Sequence, residues 1–164
     1  MDKVSVLFVC LGNICRSPTA EEVFRHLVEE RGLSERVVID SAGTGSWHIG
    51  KPPDPRTIAA AGRRGYDLSA LRARKVAEQD CAEHDFVIVM DTSNYETVSA
   101  LCPDGEVHRL LDFAPDHPER DVPDPYYGGE DGFDEVLDMI EEASAGLLAA
   151  VEERLSGSGA CVGS

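Results

Sequence analysis

The stretch VSVLFVCLGNICRSPTAEEVF, residues 4–24, carries the first decision about the fold. Val4 to Val9 is apolar apart from Ser5 and rich in β-branched residues, the composition of a strand buried on both faces of a parallel sheet. After a short turn, Ser17 offers an N-cap hydroxyl and Pro18 a first helical position. Ala20, Val23, Phe24, Leu27 and Val28 then follow at helical spacing until Gly32. A buried strand turning directly into an amphipathic helix is the opening half of a strand-helix-strand unit.

The same alternation continues outward. Val37 to Asp40 predicts a second strand, followed by a Gly- and Pro-rich loop (SAGTGSWHIGKPPDP) and a helix from Arg56 to Arg64 that ends at Gly65. Phe86 to Met90 predicts a third strand, Thr92 to Leu101 a helix, Val107 to Leu111 a short fourth strand, and Phe113 to Gly132 a proline-rich loop. Phe133, Val136, Leu137, Ile140, Leu147, Leu148 and Val151 mark a long amphipathic helix. The expected fold is therefore an open, mostly parallel α/β sheet with helices on both faces. It forms one domain over residues 1–155, and SGSGACVGS, within 156–164, reads as a flexible tail.

Composition narrows the function. The 164 residues carry a formal charge of −16, with lysine only at Lys3, Lys51 and Lys75. Such a chain repels nucleic acid and anionic lipid at long range, so neither is expected as a partner and any anionic ligand must be held by local geometry. The same balance fits a protein kept soluble in concentrated salt. No apolar run approaches the roughly 18 residues needed to span a bilayer, and the first strand has no basic leader; a cytoplasmic protein is expected. The five cysteines, Cys10, Cys15, Cys81, Cys102 and Cys161, are an odd set without C-x2-C spacing. A disulfide framework and a zinc site are both unexpected, and no cofactor or metal is implied.

The chemistry concentrates at the first strand-to-helix turn, where ligands sit in an open parallel sheet. That turn reads Cys10-Leu11-Gly12-Asn13-Ile14-Cys15-Arg16-Ser17-Pro18, a C-x5-R-S-P pattern. Five intervening residues let the loop wrap a tetrahedral oxyanion with its N–H groups pointing inward, while the following helix aims its positive end at the same point. Gly12 and Asn13 suit the unusual backbone angles of such a cradle. Arg16 closes the ring with a planar fork able to grip two phosphate oxygens. A thiol at a helix N-terminus beside an arginine is suited to act as a nucleophile, so Cys10 is expected to face a bound phosphorus, and the Ser17 hydroxyl can donate to that sulfur. Taken singly, Cys10 would read as a buried small hydrophobe and Arg16 as a solvated helix-start residue; their conjunction after an apolar strand argues for phosphate chemistry.

VLFVCLGNICRSPTAE resembles the signature of the low-molecular-weight protein tyrosine phosphatases, and the likeness extends to DSAGT, the Trp47 loop with PDPR, VIVMD and DPYYG. The resemblance implies a four-stranded parallel sheet in three layers and hydrolysis of phosphotyrosine through a phosphocysteine without metal. Cys10 then corresponds to the nucleophile, Arg16 to the phosphate-binding residue and Asp124 to the general acid. Independently, expelling a tyrosine oxygen requires a proton donor, and a carboxyl fixed between Pro123 and Pro125 has little freedom. Asp121 is its rival, and either could simply cap a loop. Trp47, Tyr126 and Tyr127 can wall the pocket and stack on a phenyl phosphate, with core packing of Tyr127 as the alternative. Leu11 and Ile14 would line the rim, and the apolar Ile14 favours an aromatic leaving group; protein arginine phosphatases resemble this signature but carry threonine there.

The family often places a histidine where this chain has Leu71, beneath the network of Asn13, Ser17 and Ser41, so a rearranged support is expected. Cys15 lies within the loop, and in relatives that resemble this chain such a cysteine pairs reversibly with the nucleophile. Phosphotyrosine proteins are the implied substrates, bacterial tyrosine kinases of polysaccharide synthesis among them. Two alternatives stand: a thioredoxin-coupled arsenate reductase, which needs relay cysteines just after the third strand where this chain reads MDTSNYETV, and a phosphotyrosine-binding module without turnover. His26, His48, His84, His108 and His117 show no triad or metal spacing and read as surface residues.

Overall fold

The computed structural model describes residues 3–125 and 130–163, with side chains over 3–125 and 132–156. The elements are β1 (Val4–Cys10), α1 (Arg16–Glu30), β2 (Val37–Gly43), α2 (Pro55–Gly62), α3 (Glu78–Glu83), β3 (Phe86–Val89), α4 (Thr92–Leu101), β4 (Val107–Arg109), a 3-10 turn at Leu110–Phe113, and α5 (Glu130–Gly163). One sheet holds the four strands in the order β2-β1-β3-β4, every pair parallel. The chain leaves β1 to one side to make β2, then crosses to the other side to make β3. The carboxyl end of β1 is therefore the point where the winding reverses, the place where such sheets open a crevice.

Val6, Leu7, Phe8 and Val9 are all fully buried, as the unbroken apolar run predicts for a central strand. Alternate residues serve different layers. Val4, Val6, Phe8 and Cys10 join Phe24 of α1 and Ile140 and Leu147 of α5 on one face, whereas Leu7 and Val9 join Val87, Val89, Val98 of α4 and Cys102 on the other. Phe8 and Phe24 meet edge to face at 5.7 Å, fixing α1 over the sheet. Where α5 crosses the 3-10 turn only a glycine fits, since a Cβ on Gly146 would lie 2.0 Å from the Phe113 carbonyl oxygen.

Several boundaries differ from the sequence reading for identifiable reasons. β2 runs three residues further, to Gly43, because Ser41, Ala42 and Gly43 keep parallel register with Phe8, Val9 and Cys10 although their composition reads as loop. The predicted fourth strand stops at Arg109 and its apolar Leu110 and Leu111 turn into the core as the 3-10 segment. The six-residue α3 had no periodicity to announce it. The backbone of α5 continues to Gly163, into the segment where a tail is expected, and side chains there lie outside the described residues. Cys81 and Cys102 form a disulfide, with Cα atoms 5.5 Å apart, which corrects the expectation that none would be present. The pairing arises because α3 and the end of α4 pack on the same face of the sheet, a proximity that a separation of 21 residues does not disclose. No described helix is long and apolar enough to cross a membrane.

Candidate active site

The loop from Cys10 to Arg16 wraps the carboxyl end of β1. Its carbonyls are tied outward: that of Cys10 accepts the Thr44 N–H, that of Leu11 the Gly45 N–H, and that of Ile14 the Asp54 N–H, at 2.8–2.9 Å. In a planar trans peptide the N–H opposes the C=O, so the amides of Leu11, Gly12 and Cys15 are turned the other way, toward the hollow of the loop. Asn13 carries a φ of 57°, the one positive value among the described non-glycine residues, and asparagine adopts that region at small cost. α1 begins at Arg16 with no side-chain cap on its N-terminus. Ser17 does not cap the helix in the way its place before Pro18 suggested; it turns beneath the loop, where its hydroxyl lies 3.0 Å from Cys10 Sγ, the second role expected of it, and 3.3 Å from Ala42 O.

Cys10 lies at the floor, 2% exposed, and also accepts the Asn13 N–H at 3.3 Å. The Arg16 side chain is equally buried. Its Nη1 donates to Asp91 Oδ2 at 2.6 Å and to the Val122 carbonyl at 2.9 Å, while Nη2 stands 3.6 Å from Asp124 Oδ2. Burial works against this guanidinium's charge, but Cys10, Asp91 and Asp124 outweigh it and hold its pKa above the ordinary arginine value. A permanently charged fork is thus fixed beside the sulfur.

Above them opens a cavity of about 330 Å³, the size of a small-ligand site, lined by Cys10, Leu11, Gly12, Ile14, Cys15, Arg16, Trp47, His48 and Asp124. Ile14 and Cys15 are buried in its wall, Leu11 stands at its rim, and Trp47 remains two-thirds exposed. Burial pushes the Cys15 thiol up to about 12, so this second sulfur stays protonated at neutral pH, and both Cys10 and Cys15 are free thiols. Asp124 lines the cavity. Asp121 does not: it accepts the Thr92 N–H and hydroxyl at 3.0 and 2.9 Å, the loop-capping part its position allowed. Tyr126 and Tyr127 lie outside the described residues.

The support beneath the loop is connected despite Leu71. Asn13 Nδ2 donates to Ser17 Oγ at 2.8 Å and to Ser41 Oγ at 3.0 Å, and Asn13 Oδ1 accepts the Arg74 N–H at 3.0 Å. Gly43 faces this network so closely that a Cβ would lie 2.8 Å from Leu11 O.

Sequence reasoning missed three participants. His48, taken as a surface residue, forms part of the cavity wall; its position beside Trp47 was the available signal. Asp91, at the end of a recognised strand segment, orients Arg16. Glu21, an ordinary helix residue by pattern, is buried and accepts the Ser41 hydroxyl. His84 also departs from expectation, its side chain being 8% exposed beside Asp80. Among the described residues Asp80, Glu83 and His84 are spaced to hold a cation, but none lines the cavity and Asp80 is already committed to Arg74 and the Ala77 N–H.

Residues 5–156 match the family described as low molecular weight phosphotyrosine protein phosphatase. A low molecular weight protein-tyrosine-phosphatase of Streptomyces coelicolor is 49% identical over 93% of this chain and 96% of its own length. The crystal structure of YfkJ from Bacillus subtilis superposes with a TM-score of 0.89 at 41% identity, covering 94% of this chain and 98% of that one. The tyrosine phosphatase Wzb from Escherichia coli K30, solved in complex with sulphate, superposes with a TM-score of 0.77 at 29% identity over 91% of this chain and 96% of its own. An oxyanion cradle after β1, a buried thiol and arginine in it, and these likenesses along nearly the whole chain lead to one conclusion: the protein belongs to the low molecular weight protein tyrosine phosphatase family.

Proposed function

We propose that Cys10, Arg16 and Asp124 hydrolyse phosphotyrosine in this cavity by two successive displacements. The observation that carries the reading is their convergence: a thiol at the floor, a buried guanidinium beside it and a carboxyl in the wall, all lining one pocket of aryl-phosphate size. In the first step the Cys10 thiolate attacks phosphorus, the S–P bond forms, and the P–O bond to tyrosine breaks as the leaving oxygen takes a proton from Asp124. In the second, water attacks the phosphocysteine, giving its proton to Asp124, and the sulfur departs as thiolate with the Ser17 hydroxyl donating to it. Arg16 and the inward amides hold the equatorial oxygens through both steps.

Leu11, Gly12, Asn13, Ile14 and Cys15 form the cradle and rim in this scheme, Ser17 and Ser41 its support, and Trp47, Tyr126 and Tyr127 the walls along the phenyl ring. His48 joins Trp47 there. The substrates are phosphotyrosine proteins, and a bacterial tyrosine kinase is the partner we favour. The working compartment is the cytoplasm, and residues 1–155 form the phosphatase domain. An arsenate-reductase relay is disfavoured because Cys81 and Cys102 pair with each other on the α3 and α4 side and neither lines the cavity.

Hydrolysis of para-nitrophenyl phosphate across pH tests the scheme. Turnover by the parent, loss in Cys10→Ser and strong reduction in Asp124→Asn are expected. A parent that binds vanadate without turnover would make the chain a binding module instead.

A further inference from the structure

Beneath the cradle runs a row of polar groups of which the two displacement steps use only the first. Glu21, on the second turn of α1, has a side chain 6% exposed. Its Oε1 accepts the Ser41 hydroxyl at 2.6 Å and its Oε2 accepts from Arg25 Nη2 at 2.8 Å. Arg25 is further held by Glu22 and by the Ile39 carbonyl.

From Asn13 to Glu21 the directions along this row are forced. An amide nitrogen only donates, so Ser17 Oγ and Ser41 Oγ both accept from Asn13, whose oxygen is occupied by the Arg74 N–H. Ser41 has one proton and gives it to Glu21. Ser17 has one proton, and its acceptors are the Cys10 sulfur and the Ala42 carbonyl. At the far end stands a carboxylate, an acceptor from both neighbours that offers no proton back. The cation facing Glu21 is Arg25, on the next turn of the same helix.

Resting on Cys10 as nucleophile, we propose that Glu21 and Arg25 act together as a positioning pair for that thiolate. Glu21 fixes Ser41 and, through Asn13, the serine that donates to sulfur. Arg25, shared with Glu22, offsets part of the carboxylate's charge so that the anchor opposes less the thiolate it helps to hold. The other charged groups nearby are Glu22 on α1, Asp40 on β2, which accepts the Ser41 N–H, and Arg74, which pairs with Asp40. Around Cys10 itself stand Arg16, Asp91, Asp124, Cys15 and, in the cavity wall, His48.

The arrangement makes an asymmetric prediction about substitution. A glutamine at 21 must present its NH2 either to Ser41, displacing the donation from Asn13, or to Arg25, donor against donor; it satisfies one side only. Removing the arginine as well relieves that conflict. The experiment uses the full chain as parent, Glu21→Gln, Arg25→Met and the double variant. Alkylation of Cys10 by iodoacetate is followed against pH by mass spectrometry, with kcat and KM on para-nitrophenyl phosphate and melting temperature alongside.

Cys15, its thiol pushed up to about 12, does not compete for the reagent. The alkylation profile of Arg25→Met should move to higher pH, that of Glu21→Gln to lower pH, and that of the double variant should return to the parent. Each single variant should lose roughly two- to tenfold in kcat at little-changed KM, and the double should recover, the coupling expected of residues in one network. Coincident profiles in all four proteins, with only melting temperature altered, would reduce the pair to packing and overturn the proposal. So would a double variant slower than either single. Should the parent fail to turn over the aryl phosphate, the phosphatase reading falls while the alkylation profiles still decide this one.

Discussion

Asp91 performs two tasks with its two oxygens, and substitution can separate them. Oδ2 takes the Arg16 guanidinium at 2.6 Å; Oδ1 caps α4 by accepting the Asn94 N–H at 2.7 Å. The Arg16 side chain is 2% exposed and that of Asp91 23%, so removing the carboxylate strands a buried cation. Breaking a fully buried pair costs about 3–5 kcal/mol; with one partner a quarter exposed, and with the Val122 carbonyl and Asp124 still in reach of Arg16, about 2 kcal/mol is the reasonable share. Loss of an N-cap adds about 1 kcal/mol. Asp91→Ala should therefore lose about 3 kcal/mol and Asp91→Asn, which keeps a capping oxygen, about 2 kcal/mol. The asparagine must also turn its NH2 toward Arg16, so the fork is no longer held over Cys10, and misplacement on that scale costs about 10- to 100-fold in kcat/KM. Urea denaturation and aryl phosphate kinetics on the two variants measure both terms. An Asp91→Asn protein with parental stability and parental kcat/KM would show that the Val122 carbonyl alone orients Arg16, and the argument would fail.

Three further outcomes follow from the packing and the charges. Gly146→Ala improves helix propensity by about 1 kcal/mol yet drives a Cβ to 2.0 Å from the Phe113 carbonyl, so a net loss of about 2 kcal/mol and a fall of roughly 4–8 °C in melting temperature are expected; an unchanged or higher melting temperature would contradict the close approach. Cys81→Ser should cost about 3 kcal/mol, the chain-entropy value for a loop of this span, and dithiothreitol should bring the parent to the same guanidinium midpoint without changing its kinetics; a parent indifferent to reductant would mean the bridge adds nothing. Burial would raise the Asp80 carboxyl, but Arg74 and the Ala77 N–H outweigh it and lower its pKa, and Asp54 is lowered chiefly by its hydrogen bond with Arg56. A depressed folded pKa means stability that is complete above the ordinary carboxylate range, near pH 4, and lost as pH falls below it. Asp80→Asn should thus destabilise at neutral pH and flatten the acid limb of the stability curve, and an acid limb identical to the parent's would refute that assignment.

The sheet and the cradle were legible because a central parallel strand and an oxyanion loop impose demands on adjacent residues. Val6 to Val9 had to be apolar without alternation, and C-x5-R-S-P had to be contiguous. What escaped was carried by residues distant in sequence. Asp91 reaches Arg16 across 75 positions and Glu21 reaches Ser41 across 20, and neither belongs to a local pattern. The disulfide escaped for the same reason. The extra length of β2 escaped because Ser41, Ala42 and Gly43 are held by the β1 ladder, not by propensity. Ser17 was read two ways, as a helix cap and as a partner of the Cys10 sulfur, and only the second is found, because the hydroxyl turned beneath the loop is not available to the helix N-terminus.

A chain of net charge −16 that binds a dianion must hold its few cations firmly, and the site's rigidity is assembled from four separate segments. β1 ends at Cys10, the nucleophile we propose. The end of β2 lies against the loop so closely that Gly43 has no room for a Cβ. Residues 74–76 then bridge to the end of β2: the Gly43 N–H donates to the Arg74 carbonyl and the Gly43 carbonyl accepts the Val76 N–H, each at 2.8 Å. α1 supplies Arg16, Ser17 and Glu21. Arg74 binds these parts together, for its N–H fixes the Asn13 amide while its guanidinium pins Asp40 on β2 and Asp80 on α3. The left-handed conformation of Asn13 persists because its side chain is held at both ends by groups on different segments, so no single contact has to sustain it. Long-range attraction being unavailable, binding must come from donors already aimed before the phosphate arrives. A loop over-determined in this way keeps its inward amides and its arginine in place without reorganisation, which is the condition under which such donors stabilise a transition state more than they stabilise the substrate.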